Sequence, residues 1–254
     1  MRINMNRLSK QSGYTLLELM IAGVIGLILM LGVMQIYLSA SRTNNFQSSV
    51  IEVQDKGRFI LAILEKDLQR AGWSNLNPGV NLGTLDSHID FTQSSNNDGY
   101  NSSDSISIRY ESDDEAGVDA NYSCDGTSVA AGEIITNTYS VGANGTFQCT
   151  GNTSTVALLT GVESLHILYG VENNTTLEDG IVDGYVNRAA ISGYEELVAT
   201  VRLGILVRST NEPLEQDNTN TYQILDELYN PTDDRALRRL FIKTILLPNK
   251  PQAF

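Results

Sequence analysis

One apolar segment near the N-terminus restricts this chain more than any other feature. From Tyr14 to Leu38 only Thr15, Glu18 and Gln35 are clearly polar. As a helix this segment would span about 37 Å, enough to cross a bilayer core of about 30 Å. Basic residues precede it and would orient an ordinary signal anchor, namely Arg2, Arg7 and Lys10.

A secretory signal peptide and a lipoprotein anchor fit the segment less well. A signal peptide has a shorter apolar stretch followed by a small-residue cleavage site, which is not found after Leu38. A lipoprotein anchor needs a cysteine close by, and neither Cys124 nor Cys149 is. Glu18 then requires a reason of its own, because a carboxylate near the bilayer centre costs roughly 2.5–3.5 kcal/mol. An acidic residue within a membrane segment is a functional-site hypothesis that needs a partner.

The segment from Gly13 to Met20, GYTLLELM, follows a short basic leader and resembles the class III signal of type IV prepilins. That resemblance implies that a membrane-embedded prepilin peptidase cuts between Gly13 and Tyr14 and methylates the amino group of Tyr14. It also implies that the Glu18 carboxylate pairs with the N-terminal ammonium of a neighbouring subunit. Such pairing would turn an unfavourable charge into an assembly signal.

The helical pattern continues beyond the apolar segment. Apolar residues and one glycine recur at intervals of three and four, which predicts one helical stripe: Phe46, Val50, Val53, Gly57, Ile60, Leu64, Leu68 and Ala71. Gly72 stands where a helix C-terminal glycine is expected. We therefore predict a single helix from about Thr15 to Ala71, about 85 Å long, whose second half packs on a sheet.

The rest of the chain predicts strands. Alternating or β-prone runs occur at 105–110, 133–139, 165–171, 197–207 and 240–247. One long helix followed by several antiparallel strands makes an α+β protein, and it matches the pilin architecture that the resemblance implies. The expected organisation is a cleaved leader (1–13), a transmembrane or filament-core half of the helix (14–38), an amphipathic half (39–72) and a periplasmic head (73–254).

Charge and cysteine content narrow the functions of the head. A net charge of −13 repels phosphate backbones, so we expect no binding of nucleic acid through overall charge. Two cysteines are too few for a zinc-finger site. In a head exported to an oxidising periplasm, Cys124 and Cys149 most simply form one disulfide, the alternative being two unpaired thiols.

Further stretches of the sequence resemble one particular group of pilins. QDKGRF at 54–59 and DLQRAGW at 67–73 look like the helix end of PilW-type minor pilins, and RRLFIKT at 238–244 looks like the tail of that family. Stretches at 162–170 and 179–185 are similar as well. The runner-up is the J-type minor pseudopilin of type II secretion, which shares the helix and a similar tail.

No catalytic motif and no cofactor site emerges from the sequence, and neither His88 nor His166 has catalytic context. An acidic turn could hold calcium through Glu178, Asp179 and Asp183, although acidic turns are usually only solvated. A single-span periplasmic sensor or enzyme is the competing hypothesis of another class. It would need a nucleophile, a ligand cluster or a cytoplasmic domain.

The resemblance implies a structural function. We expect a non-enzymatic, single-pass protein of the bacterial inner membrane whose head lies in the periplasm and which enters the extracellular pilus. It would prime assembly and sit at or near the pilus tip, supporting twitching motility and adhesion. The implied partners are the prepilin peptidase, other minor pilins, the major pilin, the pilus assembly platform and a tip adhesin.

Overall fold

The structure, a computed structural model, describes residues 13–74, 88–112, 121–172 and 182–249. It divides into two compact units, Met1–Gln47 and Ser48–Phe254, which we call the N-terminal and the C-terminal unit. Helix α1 begins at Leu16 and ends at Arg70, within one residue of the predicted bounds. Within the N-terminal unit its apolar side chains are exposed, and α1 is the described helix that is long and apolar enough to cross a membrane.

In the C-terminal unit one face of α1 is buried. Its buried residues are Ser49, Val53, Gly57, Ile60, Leu64, Asp67 and Leu68. The predicted stripe is largely confirmed, although Phe46 is exposed. Gly57 allows the ring of Phe241 to pack directly against the helix, because a Cβ atom at this position would collide with that ring. Gly72, two residues after the helix end at Arg70, has the positive φ of 75° that glycine adopts without strain.

The first sheet is an antiparallel meander. It consists of β1 (Ile106–Glu111), β2 (Ile134–Gly142), β3 (Thr146–Thr150) and β4 (Thr155–Thr160), in that spatial order. Alternate residues of β2 and β3 point into the core, where the rings of Tyr139 and Phe147 stack with centroids 5.8 Å apart.

The second sheet is also antiparallel. Its first three strands along the chain are β5 (Val162–Val171), β6 (Gly184–Val186) and β7 (Val198–Arg208). A separate hairpin of β8 (Tyr222–Ile224) and β9 (Glu227–Tyr229) follows, and β10 (Arg238–Leu246) then returns to the sheet. The spatial order of the second sheet is β10-β7-β5-β6. The hairpin covers part of it, because a Cβ atom at Gly204 would meet Ile224 and Leu225.

The α+β class is confirmed: one long N-terminal helix precedes antiparallel sheets. Helix α1 contacts both of them, since Asp67 bonds to β2 and Glu65 pairs with Lys243 of β10. All five predicted strands are present, as β1, β2, β5, β7 and β10. The strands that the sequence pattern did not predict are short: β6, β8 and β9 have three residues each, and β3 and β4 have five and six, with two threonines each.

Candidate functional site

The start of α1 carries the residues that the sequence singled out. Gly13 and Tyr14 precede the helix, and Glu18 lies in its first turn. The backbone N–H of Glu18 donates to the Thr15 hydroxyl oxygen at 3.2 Å, which is one half of a capping box with the T-x-x-E spacing. A carboxylate in the first turn also favours the helix, because the first N–H groups carry partial positive charge.

The Glu18 side chain is exposed amid apolar neighbours. Leu17, Leu19 and Met20 are all exposed, so the carboxylate lies on an apolar surface whose contact with water is unfavourable. Within the described residues, the carboxylate of Glu18 makes no hydrogen bond or ion pair. In surroundings of low dielectric constant such a carboxylate would need a cationic partner, because the attraction between opposite charges is stronger there than in water.

The predicted disulfide is confirmed. Cys124 and Cys149 are bonded, with their Cα atoms 6.2 Å apart. The bond joins the loop at 121–129 to β3, and Cys149 lies opposite Tyr139 of β2. The sequence separation of 25 predicts a stabilisation of about 3–4 kcal/mol on the chain-entropy model.

Asp125 fixes the same loop to the turn between β3 and β4. Its carboxylate accepts hydrogen bonds from the backbone N–H of Thr127, Thr153 and Ser154, at 3.0, 3.1 and 2.8 Å. The Ser123 hydroxyl donates to it as well. Burial by itself would raise the pKa of Asp125, but these hydrogen bonds outweigh it and hold the pKa well below its usual range. Asp125 therefore has a structural function.

Asp67 connects α1 to the first sheet. Its Oδ2 atom accepts hydrogen bonds from the Tyr139 hydroxyl at 2.6 Å and from the Asn137 amide at 2.7 Å. The side-chain oxygen Oδ1 of Asn137 accepts a hydrogen bond from the backbone N–H of Cys124 at 2.9 Å, so the network reaches the disulfide loop. Burial, and then the charge of Asp67, raise the pKa of Tyr110 to about 12. The Tyr110 hydroxyl beside this network thus keeps its hydrogen at neutral pH.

A buried ionic cluster lies at the start of β10. The Arg238 side chain is 0% exposed and donates to both oxygens of Glu163, at 2.7 and 2.9 Å, and to both oxygens of Asp234, at 2.6 and 2.8 Å. Arg208 lies 3.7 Å from Glu163 and 3.6 Å from Asp234. Burial would raise the pKa of Asp234, but the hydrogen bonds and charge of Arg238 lower it.

Both histidines are buried. His166 lies in β5, with Nδ1 3.7 Å from Oδ2 of Asp104. His88 lies beside the helix end, where its Cβ atom is 2.8 Å from the position that a Cβ atom at Gly72 would take. Burial lowers the pKa of His88 to about 4. His88 is therefore neutral in the folded protein at neutral pH.

Acidification should destabilise the C-terminal unit through His88. Its pKa is about 4 in the folded state and about 6.5 in the unfolded state. The unfolded state therefore binds more protons between these values, and stability is lost as pH falls from about 6.5 to about 4, by about 3 kcal/mol. Urea unfolding followed by fluorescence of Trp73, the single tryptophan, should show this loss.

His88→Gln should remove most of the pH slope in that window, whatever its effect on stability at pH 7. The carboxylates with lowered pKa values titrate at lower pH, among them Asp90 and Asp234. A slope that persisted unchanged in His88→Gln would contradict the assignment.

The possible calcium turn is only partly within the described residues. Glu178 and Asp179 lie outside them, whereas Asp183 is exposed next to β6, where its backbone N–H donates to Val171. In the residues that the structure describes, no group of three or more His, Cys, Asp or Glu side chains could hold a metal ion.

The roles of Asp67 and Arg238 are not among those predicted from the sequence. A signal for Asp67 existed, because it lies three residues after Leu64 and so on the stripe predicted to be buried. An acidic residue on a buried helix face needs buried hydrogen-bond donors. No local pattern identifies Glu163 and Asp234 as the partners of Arg238, since Glu163 comes from β5 and Asp234 from the loop before β10.

Comparisons with known proteins point to one family. The model of the family described as Type IV Pilus-assembly protein W matches residues 119–249, more than half of the chain. The model of the prokaryotic N-terminal methylation motif matches residues 8–34, which include the start of α1. No curated protein sequence matches. A type IV-like pilin from Thermus thermophilus has a similar solved structure, with 14% identity, a TM-score of 0.49, and coverage of 78% of this chain and 97% of that chain.

Proposed function

Because this chain belongs to the type IV pilus-assembly protein W family and is a type IV pilus minor pilin, we propose that it primes pilus assembly from a position at or near the tip. The observation that carries the proposal is the methylation motif at 8–34 together with the family match over the last half of the chain. The same family match favours the pilus over the J-type pseudopilus of type II secretion.

Processing is the first step of the proposed function. The prepilin peptidase cleaves the peptide bond between Gly13 and Tyr14 and methylates the new amino group of Tyr14. Both residues precede the first turn of α1, outside the helical hydrogen bonds, which leaves the bond accessible to a peptidase. The leader (1–13) is then lost, and the apolar segment 14–38 anchors the mature chain in the inner membrane with its head (73–254) in the periplasm.

Assembly in this proposal depends on Glu18. The methylated ammonium at Tyr14 would place positive charge beside helix N–H groups that already carry partial positive charge, so it needs an anion. The Glu18 carboxylate, exposed among apolar side chains, is such an anion on a neighbouring subunit. The pair forms where the dielectric constant is low, which strengthens the attraction and makes each unpaired charge unfavourable.

The same residue supports the proposed position. A subunit that began the filament would have no predecessor and no use for the carboxylate. Because this chain retains Glu18, we place it directly after another minor pilin, in one or a few copies below the cap. The major pilin would follow it from the assembly platform. A tip adhesin is the remaining proposed partner, and twitching motility and adhesion are the proposed cellular roles.

Glu18→Ala should abolish co-assembly while leaving membrane insertion and processing intact. Removing the carboxylate also removes its cost in the membrane, so the helix should still insert. We expect co-purification with the other minor pilins to fall at least about tenfold, equivalent to about 1.4 kcal/mol. The readouts are affinity purification from membranes, pilus counts, and mass spectrometry of the mature N-terminus, which should be N-methylated Tyr14.

Two variants make the experiment specific. Glu18→Gln keeps the size of the side chain without its charge and should behave like Glu18→Ala. Glu212→Ala removes an exposed carboxylate from the head, where it pairs loosely with Arg235 at 3.7 Å, and should assemble normally. Normal assembly of Glu18→Ala would overturn the role of Glu18, and a mature chain beginning at Met1 would overturn the proposed processing.

A further inference from the structure

Among the strands that the structure describes, β4 is an edge strand of the first sheet. At the opposite edge, β1 forms bridges with the segment before it, between Ile89 and Ile108 and between Ser95 and Ser105. Among the strands that the structure describes, only β3 pairs with β4. Within the described residues the outer N–H and C=O groups of β4 thus have no strand partner, which is the arrangement that allows strand addition by another chain.

This edge lacks charged residues and proline, two of the features that usually prevent such pairing, while β4 is short and contains one bulge. Edge strands are commonly protected by charged residues or proline. No Asp, Glu, Lys, Arg, His or Pro occurs between Glu133 and Glu163, a segment that includes β2, β3 and β4. By contrast β10, the edge strand of the second sheet, contains Arg239 and Lys243. Two copies of an acidic chain can thus approach at β4 without opposing like charges.

The side chains of β4 are also arranged symmetrically. The register with β3 places Thr155 and Thr160 on the solvent side, and Val156 and Leu159 on the side of the core. Residues five positions apart in a regular strand point to opposite faces. Here a bulge leaves Leu158 without a partner in β3, which brings Thr155 and Thr160 to the same face.

Consequently β4 has the same order of threonine and aliphatic residues when it is followed in either direction. If two β4 strands pair antiparallel, Thr155 of each lies opposite Thr160 of the other on the solvent side. Val156 then lies opposite Leu159 on the side of the core. Threonine pairs directly opposite each other stabilise antiparallel strands by roughly 0.2–1 kcal/mol each, and the Val156–Leu159 pairs bring apolar side chains together. The strand is therefore complementary to a second copy of itself.

We propose that two copies of this chain associate through their β4 strands around a two-fold axis, joining two four-stranded sheets into one continuous sheet. The contact is short, so the association is weak and depends on concentration, which confinement to a membrane raises. This interface is separate from Glu18 and requires neither processing at Gly13 nor a position at the pilus tip.

Cysteine cross-linking tests the register of the pair. The full chain is produced in membranes with the double substitution Thr155→Cys and Thr160→Cys and then treated with diamide as oxidant. The two new cysteines lie about 15–17 Å apart on one strand and cannot bond to each other. In the proposed pair each lies opposite the other residue of the second copy, so a covalent dimer should form. Native Cys124 and Cys149 are already bonded to each other.

The single substitutions are the matched controls. Thr155→Cys or Thr160→Cys alone should give at most about a tenth of the dimer, because identical positions lie about 15–17 Å apart across the two-fold axis. Equal cross-linking by a single and the double variant would indicate random collision and would overturn the proposal. Absence of dimer in the double variant would overturn it as well.

A charge at the edge gives a second, independent readout. Ala157→Lys places two lysines close to the two-fold axis and should weaken association of the detergent-solubilised chain about tenfold in analytical ultracentrifugation. Ile242→Lys adds the same charge to the exposed edge strand of the other sheet and should leave association unchanged. The reverse result, or a wild-type chain that stays monomeric at all concentrations, would refute pairing through β4.

Discussion

We expect Arg238→Met to lower the free energy of unfolding of the C-terminal unit by about 3–5 kcal/mol. The substitution preserves much of the side-chain volume but removes all four hydrogen bonds to Glu163 and Asp234. Two carboxylates would then share a poorly solvated site, and Arg208, at 3.6–3.7 Å, would be their remaining cation. Urea unfolding of the detergent-solubilised full chain, followed by Trp73 fluorescence, measures the loss.

Three further variants separate the ionic cluster from general packing. Arg238→Lys should recover less than half of the loss, because an ammonium cannot bond to two carboxylates in bidentate geometry. Removing the acids together with the arginine, as Arg238→Met with Glu163→Gln and Asp234→Asn, should be milder than Arg238→Met alone. Arg235→Ala breaks an exposed pair and should cost less than about 1 kcal/mol. A loss below about 1 kcal/mol in Arg238→Met would contradict the prediction.

Asp67→Ala should destabilise the C-terminal unit by about 3 kcal/mol. The carboxylate accepts from Tyr139 and Asn137 in the buried interface between α1 and β2, and its loss leaves both donors without their acceptor. Each buried polar group left unpaired costs about 1–3 kcal/mol. The same urea unfolding experiment detects the change, and Trp73 is well placed for it because its backbone N–H donates to the carbonyl of Arg70, the last helical residue, at 2.9 Å.

A double-mutant cycle shows whether the hydrogen bond is responsible. Tyr139→Phe removes the donor, so Asp67→Ala should cost at least about 1 kcal/mol less in that background. Glu65→Ala breaks the half-exposed pair with Lys243 at 2.6 Å and should cost no more than about 1 kcal/mol. Additive effects of Asp67→Ala and Tyr139→Phe would show that packing, and not the hydrogen bond, stabilises the interface.

The elements that the sequence predicted correctly are those with a strong periodic signal. Helix α1 was predicted within one residue at each end, because its apolar repeat is long and Gly72 terminates it. Strands β1, β5 and β7 alternate over six or more residues and were predicted as well. Strands β3 and β4 are short, each contains two threonines, and a bulge interrupts their pairing, so alternation alone could not identify them.

The functional and structural residues of the site also fall into two groups, those that the sequence identifies and those that only the structure identifies. The motif from Gly13 to Glu18 is contiguous, so its residues and spacing can be identified from the sequence, and the two cysteines allow a single intrachain disulfide. The partners of Asp67 lie 70 and 72 residues away, and Arg238 reaches Glu163 across a separation of 75. Such contacts are fixed by which strands become neighbours, and nothing in the local sequence specifies that order.

The sequence by itself thus determined the membrane-directed helix, its processing motif and the α+β class, because each depends on short-range periodicity or on a contiguous motif. Only the tertiary structure decided that one helix face packs against two sheets, which buried charges form pairs, and which of the described strands lie at the sheet edges. Those outcomes depend on long-range packing, in which the burial of a polar group is acceptable only if a distant part of the chain supplies its partner.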